Sequence, residues 1–418
     1  MKAVALFIII LLINMACQPA KDRDSASVED VKEIVNTFGY DKEFLENNLD
    51  DVIILKGEND SAQIIIAPQY QGRVMSSTSG GEGGPSYGWI NYELISSGEL
   101  VEHMNPFGGE DRFWMGPEGG QYAIFFQEGD DFVFEDWQTP AAIDTDAFEV
   151  LESSQRRAVF SHQFGLKNYS GTTFNVKVDR VISLLTASEV ENGLGITLPS
   201  GDLEYVAFSS DNSISNQGEE AWTKEGGLLS IWILGMFKHS ATTTIVVPYD
   251  TAKGEEVPIL NDSYFGKVPE DRLKVEDGFI FFKGDGAYRS KIGVSPQRAK
   301  PIVGSYDAKN NVLTIVKFSL PEGAEDYVNS MWEVQNLPYG GDAVNAYNDG
   351  PLQGEEEQLG PFYELESSSP AAALEPGASM QHVHSTFHFS GSAATLEQVA
   401  REVLGISLEE IKTAFSRP

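Results

Sequence analysis

Residues 339–389 concentrate carboxylates and imidazoles at a spacing typical of strands. Three of the six histidines, His382, His384 and His388, lie within seven residues of one another. Side chains two residues apart point to the same face of a strand, so the three imidazoles are expected on one face. Upstream, Glu364 and Glu366 share a face for the same reason. A carboxylate pair and a histidine row on neighbouring strands would form a polar site.

The histidine row has three interpretations. His382 and His384 could bind a divalent metal ion, with Glu364 or Glu366 as a further ligand, because their imidazoles point the same way. They could also line a ligand cleft, or serve only the protein interior. The six residues from His382 to His388 span about 20 Å in a strand, so one ion cannot bind all three imidazoles. No other cofactor is indicated.

Residues 101–127 form a second polar stretch, in which glycines interrupt regular structure. Carboxylates and amides hydrogen-bond hydroxyl pairs, arginine donates a planar fork, and an aromatic ring packs on the apolar face of a sugar. This composition therefore indicates sugar recognition. The alternative is a structural loop whose charged groups pair with one another. The candidate binding residues are Asn105, Glu110, Asp111, Arg112, Trp114 and Glu118, with His103 as a candidate acid.

A third polar stretch contains Asn348, Asp349 and Gly350. This tripeptide is a strong turn signal, because Asn and Asp side chains hydrogen-bond their own backbone and glycine adopts positive φ. Asn348 and Asp349 could contact a polyol or a cation. A turn without any ligand explains the same residues equally well.

The chain is strongly acidic. Its 418 residues include 29 Lys and Arg against 63 Asp and Glu, which gives a formal charge of −34. Nucleic-acid binding needs a basic surface, so nucleic acid is excluded as an expected partner. The same charge disfavours anionic polysaccharides and suits neutral ligands or a bound divalent cation.

The first residues have the pattern of an export signal. Met1-Lys2 precedes the apolar run Ala3–Ile13, which is shorter than the roughly 20 residues that a membrane-spanning helix needs. The only cysteine, Cys17, follows a small residue after this run, as in the bacterial lipoprotein signal. We expect residues 1–16 to be a signal peptide, Cys17 to carry a lipid, and residues 17–27 to tether the protein to a membrane of the cell envelope. Ordinary secretion is the alternative.

Residues 28–418 are predicted to form one all-β domain. Helical spacing is clear only near the ends, over Ser27–Asn48 and after the capping-box patterns Thr395-x-x-Gln398 and Ser407-x-x-Glu410. Between them, short apolar or alternating runs are separated by Gly, Asn, Asp and Pro. The pattern predicts a large antiparallel sandwich with short terminal helices. The predicted strands include Val52–Leu55, Ala62–Ala67, Ala123–Gln127, Ala158–Phe164, Thr173–Leu185, Tyr205–Ser209, Leu228–Leu234, Thr242–Val247, Phe279–Lys283 and Val312–Leu320.

Three short segments resemble the galactose mutarotase-like superfamily and, within it, an uncharacterised group of Bacteroidota lipoproteins. Gly72-Arg73-Val74 after Ala67-Pro68 is similar to the early strand of that superfamily. Residues 108–120 resemble a Gly-Gly-x-Arg-x-Trp…Pro-Glu signature of uncharacterised relatives. Residues 365–377 resemble the aldose epimerase segment Leu-Glu-Thr-Gln-x-x-Pro…Leu-x-Pro-Gly. The resemblance implies an antiparallel supersandwich with a carbohydrate cleft across one face.

The resemblance also implies roles for single residues. It places Glu366 at the position of the epimerase base, with Glu364 or His103 as partner acid and Arg73 among the residues that position the sugar. Two functions with a sugar ligand follow from this, and a structural or scaffold lipoprotein that binds no glycan is the third possibility. The first is an acid/base enzyme of epimerase, lyase or hydrolase type that acts on a neutral sugar or glycan. The second is a lipid-anchored carbohydrate-binding protein without turnover, because no mid-chain histidine lies in a motif that matches the epimerase acid and Pro370 falls one residue early.

Overall fold

Three antiparallel sheets dominate the structure, a computed structural model that describes residues 37–351 and 358–416. The signal peptide, Cys17, the tether and the start of the predicted first helix lie outside these residues. No helix within the described ranges has the length and apolar character needed to cross a membrane.

The bounds of the strands are β1 Ile53–Lys56, β2 Gln63–Ala67, β3 Arg73–Thr78, β4 Arg112–Gly116, β5 Glu149–Ser153, β6 Arg157–Lys167, β7 Thr173–Leu184, β8 Glu204–Asn216, β9 Ser230–Lys238, β10 Thr243–Pro248, β11 Leu273–Glu276, β12 Phe279–Lys283, β13 Ser290–Val294, β14 Ile302–Asp307, β15 Val312–Phe318, β16 Val344–Asn348, β17 Phe362–Ser368 and β18 Ser379–Ser390. The four longest of the described strands, β6, β7, β8 and β18, have 11 to 13 residues and lie in one sheet.

The helices are few and short. The α-helices are α1 Phe38–Asn48, α2 Tyr92–Ser97, α3 Ala187–Leu194, α4 Ala393–Val399, which continues as a π-helix over Ala400–Leu404, and α5 Leu408–Thr413. Single 3₁₀ turns occur at Pro68–Tyr70, Phe134–Asp136 and Ala141–Ile143. The predicted all-β class is therefore confirmed.

The strand order brings distant parts of the sequence together. The largest sheet has ten strands in the order β11-β12-β10-β14-β15-β18-β8-β7-β6-β5. A five-stranded sheet has the order β13-β16-β17-β9-β4, and β1-β2-β3 form the third. Apolar side chains of the ten-stranded and five-stranded sheets form shared buried clusters, so the two sheets pack face to face as a sandwich.

The helices near the C-terminus cover the outer face of the ten-stranded sheet. Leu396 and Ile411 are fully buried in one cluster with Leu313, Phe387 and Phe389 of the sheet. Phe387 and Phe389 thus face these helices, whereas His382, His384 and His388 on the same strand face the five-stranded sheet. The predicted division of β18 into a histidine face and an aromatic face is confirmed.

Two local predictions were wrong and one was confirmed. Ala123–Gln127 forms turns instead of a strand, with four of its apolar side chains buried. Thr395 does not cap a helix, because α4 begins before it, at Ala393. Ser407 does cap α5: its hydroxyl accepts from the Glu410 N–H at 3.2 Å, and the Glu410 carboxylate bonds back to Ser407.

Candidate functional site

The five-stranded sheet turns one set of side chains toward the core and the other toward an open cleft. On β17, Leu365 lies in the core, whereas Glu364 faces the cleft and is in register with Met236 of β9 and Tyr347 of β16. The same alternation operates on every strand of the sheet. The cleft face carries Arg112 and Trp114 of β4, Trp232, Leu234 and Met236 of β9, Phe362, Glu364 and Glu366 of β17, Asn345 and Tyr347 of β16, and Lys291 of β13.

Loops from several parts of the chain close this face into a cavity of about 340 Å³. Tyr264 and Phe265 come from the connection between β10 and β11, and Ser330–Glu333 from the connection between β15 and β16. Met104 and Trp137 come from the loops on either side of β4. The rigid sheet thus supplies the floor of the cavity and irregular segments supply its rim.

Tryptophans form much of the cavity wall. The ring of Trp114 lies 5.5 Å from Trp232 and 6.4 Å from Trp137, and Trp137 lies 5.8 Å from Trp332. The buried indole N–H groups of Trp114 and Trp137 have no hydrogen-bond acceptor in the described part of the chain. Such rings pack on the apolar face of a sugar, and their N–H groups are donors for its oxygens.

A buried ion pair lies on the cavity floor. Arg112 donates to the Glu364 carboxylate at 3.1 Å, and both side chains are at most 6% exposed. The guanidinium also lies 4.2 Å from the centre of the Trp114 ring. Burial raises the pKa of Glu364 to about 7 although the Arg112 charge opposes this rise. Glu364 can therefore exchange a proton near neutral pH.

The second carboxylate of β17, Glu366, lies on the same face of the sheet but is covered by Lys291 and Trp232. One of its oxygens accepts from Lys291 Nζ at 2.8 Å and from Trp232 Nε1 at 2.9 Å. The other oxygen is buried without a partner among the described residues. Lys291 and Trp232 line the cavity and Glu366 does not. The Lys291 ammonium, 4.5 Å from the centre of the Trp232 ring, belongs to the layer that separates Glu366 from the cavity.

Two further carboxyl groups lie beside Lys291. Burial raises the pKa of Glu118 to about 7, and Lys291 opposes the rise. Burial also raises the pKa of Asp342 to about 6, although Tyr264 donates to it at 2.5 Å. Glu118, Glu364 and Asp342 therefore titrate near neutral pH, which is the property of groups that transfer protons in catalysis.

The structure places four of the predicted site residues in the cavity wall: Arg112, Trp114, Glu118 and Glu364. Arg112 and Trp114 alternate on β4, and Glu118 follows that strand directly. The segments 112–118 and 364–366, far apart in sequence, thus converge on one cavity. The sequence alone did not show whether these two segments are neighbours in the fold.

Glu110 and Asp111 bind partners inside the protein and do not line the cavity. Glu110 accepts from the Ser77 N–H at 2.6 Å and lies 2.9 Å from His388 Nε2. Asp111 forms a fully buried ion pair with Arg180. The two residues thus have a structural role, but they do not pair with each other or with Arg112 as the structural-loop alternative expected, because their partners come from other strands.

Arg73 and Asn105 also serve the scaffold. Arg73 is fully buried and donates to the Gly108 carbonyl and to the Gln71 side chain, both at 3.0 Å. Burial and the nearby Arg112 lower its pKa to about 9. Asn105 donates to Asp144 at 2.8 Å. Arg73 thus fixes the Gly108 turn from which the chain enters β4.

His103 lies next to the cavity but does not line it. Its φ of 70° is in the left-handed region, and its Nδ1 lies 2.6 Å from the Trp137 carbonyl oxygen. The ring packs 4.4 Å from Phe134. These contacts hold His103 against the back of a cavity-lining residue, so the structure does not bring it together with Glu364 as a partner acid.

Asn348 and Asp349 stabilise a buried turn. Asn348 accepts from the Gly286 N–H at 2.8 Å and donates to the Tyr288 carbonyl at 2.9 Å. Asp349 accepts from the Tyr347 hydroxyl at 2.6 Å. Tyr347 lines the cavity, so Asp349 supports the wall from behind.

His382 and His384 lie between the two sheets of the sandwich, away from the cavity. The Ser367 Oγ is 2.8 Å from His382 Nε2 and 2.8 Å from His384 Nδ1. Burial lowers the pKa of His382 to about 3 and that of His384 to about 4, so both are neutral at pH 7. In the ranges that the structure describes, no cluster of three or more His, Cys, Asp or Glu side chains could hold a metal ion.

Several residues of the cavity were not singled out from the sequence. Trp232 and Lys291 could have been found from alternation, because Trp232 lies in the predicted strand Leu228–Leu234 and Lys291 precedes alternating Ile292 and Val294. The rim residues had no such signal, since their positions depend on loop conformation. The residues in question are Met104, Trp137, Trp232, Tyr264, Lys291, Trp332, Asp342 and Tyr347.

The chain belongs to the family of unknown function DUF6786, whose pattern it matches over residues 36–415. No curated protein shows a significant match to the sequence.

Several solved structures have a similar arrangement. The Slr1438 protein from Synechocystis sp. PCC 6803 is 14% identical with a TM-score of 0.49, over 82% of this chain and 96% of that one. A putative aldose 1-epimerase from Escherichia coli K12 is 11% identical with a TM-score of 0.43, over 81% and 98%. A galactose mutarotase-like protein from Lactobacillus casei ATCC 334 is 12% identical with a TM-score of 0.45, over 81% and 99%.

Proposed function

We propose that the protein is carbohydrate-active, and that its cavity binds a sugar and transfers protons to and from it. The observation that carries this proposal is the setting of Glu364. This carboxyl group, with its pKa raised to about 7, lies on the cavity floor, bonded to Arg112 and in a cavity walled by tryptophans. Tryptophan rings suit the apolar faces of a sugar, and the carboxyl and guanidinium groups suit its hydroxyls.

In this proposal Glu364 is the first carboxyl group that the sugar meets. Glu118 is its partner across the cavity, and each could donate or accept a proton near neutral pH. Arg112 would stabilise negative charge that develops on a sugar oxygen. Glu366, the base that the sequence resemblance implies, could reach the sugar only after Lys291 has moved aside.

Turnover is tested by NMR measurement of anomer exchange and by product analysis with a panel of neutral glycans. Glu364→Gln removes a proton-transferring group and is expected to lower turnover about 100-fold or more. Glu149→Gln, an exposed change on β5, is the matched control and should leave turnover unchanged. Equal rates in wild type and Glu364→Gln would remove Glu364 from this role.

The Glu366→Gln variant distinguishes the role of Glu366 in turnover from the role of Glu364. If Glu366 is the base, its amide variant should lose turnover to the same extent as Glu364→Gln, because the amide cannot accept a proton. Unchanged turnover in Glu366→Gln would leave Glu366 as a support for Lys291 and Trp232.

A second function, sugar binding without turnover, is favoured by the enclosure of Glu366 behind Lys291. It predicts saturable binding in calorimetry that persists in Glu366→Gln, with no conversion of any glycan in the panel. Conversion of any sugar by the wild-type protein would contradict it.

We further propose that the protein is exported and held on a membrane of the cell envelope by a lipid on Cys17. The support is the sequence pattern Met1–Cys17. The test is metabolic labelling with radioactive palmitate, followed by fractionation. Cys17→Ser should lose the label and leave the membrane fraction, whereas label retained by Cys17→Ser would contradict lipidation at this residue.

A further inference from the structure

The cavity contains more carboxyl groups than cations. Glu118, Glu333 and Glu364 line it, while Asp342 and Glu366 adjoin it through Tyr264 and Lys291. Arg112 is paired with Glu364 at 3.1 Å and Lys291 with Glu366 at 2.8 Å. Within residues 37–351 and 358–416, Glu118 and Asp342 form no ion pair of their own. These two carboxyl groups therefore have hydrogen-bond donors and the shared charge of Lys291 as stabilising neighbours, and Glu118 also has the more distant charge of Arg112.

These carboxyl groups do not form a metal site. The structure shows no cluster of three or more suitable ligands in its described ranges, so the groups are too dispersed to surround one ion. A dispersed set of carboxylates suits an organic cation better, because an ammonium group on a larger ligand needs only one or two of them at hydrogen-bond distance.

The walls of the cavity also favour an organic cation. Trp332 lines the cavity close to Glu118, where it favours the charged form of this carboxyl group, and the Trp137 and Trp114 rings follow at 5.8 and 6.4 Å along the row. Indole faces attract cations through the negative charge of their π-systems, and this attraction is strongest where water is excluded. The Glu118 carboxyl group and the indole rings would then contact the same ammonium group of the ligand.

Building on the proposed function, we infer that the sugar bound here carries a positively charged amino group, which lies beside Glu118 and the tryptophan rings. Arg112 and Lys291 are each paired with another carboxyl group, Glu364 at 3.1 Å and Glu366 at 2.8 Å. A neutral sugar would fill the same space but would bring no cation to Glu118, whereas an ammonium group would favour the ionised form of this carboxyl group. The ligand class is thus an amino sugar with a free, protonated amine.

Calorimetry at pH 7 with matched sugars tests this inference. Glucosamine is compared with glucose and N-acetylglucosamine, and galactosamine with its two neutral counterparts. One amino sugar of the two is expected to bind at least tenfold more tightly than both of its counterparts. The preference should shrink as salt is added, because ionic contacts are screened. The acetylated sugar controls for size, since it retains the nitrogen but not the charge.

Glu118→Gln should remove most of the amine preference, so that the charged sugar and its two neutral counterparts bind with similar affinity. Asp342→Asn provides a second test if Glu118→Gln does not fold, as judged by its thermal transition. Glu149→Gln on the exposed strand β5 is the matched control.

Two results would overturn the inference while leaving the proposed function intact. One is equal affinity for the charged and neutral members of both sets. The other is an amine preference that survives in both Glu118→Gln and Asp342→Asn. If no sugar of either set binds, and no glycan of the panel binds, the proposed function itself is contradicted.

Discussion

The buried Arg112–Glu364 pair joins the two sequence segments that build the cavity. Arg112→Leu would leave the Glu364 carboxylate without its cation, and breaking a buried pair in this way costs about 3–5 kcal/mol. We therefore expect a clear loss of unfolding free energy in urea titrations. Arg157→Leu, which breaks the exposed pair with Glu152, is the control and should change stability little.

The Arg112 prediction has a second part. In Arg112→Leu the pKa of Glu364 should rise further, because the charge that lowers it is gone. A double variant, Arg112→Leu with Glu364→Leu, should recover much of the lost stability, since it leaves no unpaired charge in the cavity floor. If the double variant recovers none of the lost stability, the Arg112–Glu364 pair contributes through packing alone.

The two buried histidines between the sheets, His382 and His384, predict how stability depends on pH. The pKa values of His382 and His384 are lowered in the folded state, to about 3 and about 4, from 6.5 in a free side chain. Below pH 6.5 the unfolded chain therefore binds protons that the folded chain does not. Stability should fall as the pH drops from about 6.5 toward 4, and this contribution is fully present above pH 6.5.

Denaturant titrations between pH 4 and 8 measure this slope. Replacing both residues, as His382→Gln with His384→Asn, should flatten it, whereas the partly buried His239→Asn serves as control. An unchanged slope in the double variant would mean that other groups cause the acid sensitivity.

At the scale of elements, the alternation of side chains along the strands predicted more of the structure than any other feature of the sequence. The faces of β18 and β17 followed from residue parity, because a strand with one buried face leaves its pattern in the sequence. The loops left no such pattern. Trp137, Trp332 and Tyr264 reach the cavity through irregular backbone, and Ala123–Gln127 looks like a strand although its apolar residues are buried within turns.

The two capping-box patterns show why local spacing alone is insufficient. Ser407 and Glu410 form the reciprocal bonds, whereas Thr395 lies inside α4 and bonds to the Ser392 carbonyl at 2.9 Å. Ser407→Ala should therefore cost about 1 kcal/mol of unfolding free energy. Gln398→Ala should cost little, because its predicted cap does not form. Equal losses in both variants, measured in urea, would contradict this assignment.

At the scale of the whole molecule, the helices near the C-terminus and the cavity lie on opposite sides of the sandwich. The helices near the C-terminus bury the outer face of the ten-stranded sheet, while the cavity opens on the five-stranded sheet. Ile411→Ala removes a fully buried side chain and should cost about 2–5 kcal/mol. Sugar affinity of the folded protein should stay at the wild-type value, which calorimetry below the thermal transition can check.

The predictable and unpredictable parts of the site differ for a physical reason. The fold class and the candidate residues Arg112, Trp114, Glu118 and Glu364 followed from local pattern and resemblance. The exclusion of Glu110 and Asp111 from the cavity depended on which distant strands supply His388 and Arg180, and a single sequence does not specify those pairings. The same holds for Lys291, whose role depends on its distance from Glu366.

The strand order of the five-stranded sheet has a consequence for biosynthesis. Strand β4 pairs with β9, and β9 pairs with β17, so the cavity floor joins residues 252 positions apart. A ribosome must complete almost the whole chain before these strands can meet, and contacts between such distant residues form slowly. Until β17 has been synthesised, the backbone N–H and C=O groups on the edge of β9 that pairs with β17 have no partner strand. Acquisition of sugar affinity should be among the last events of folding, and it can serve as an assay of completed assembly.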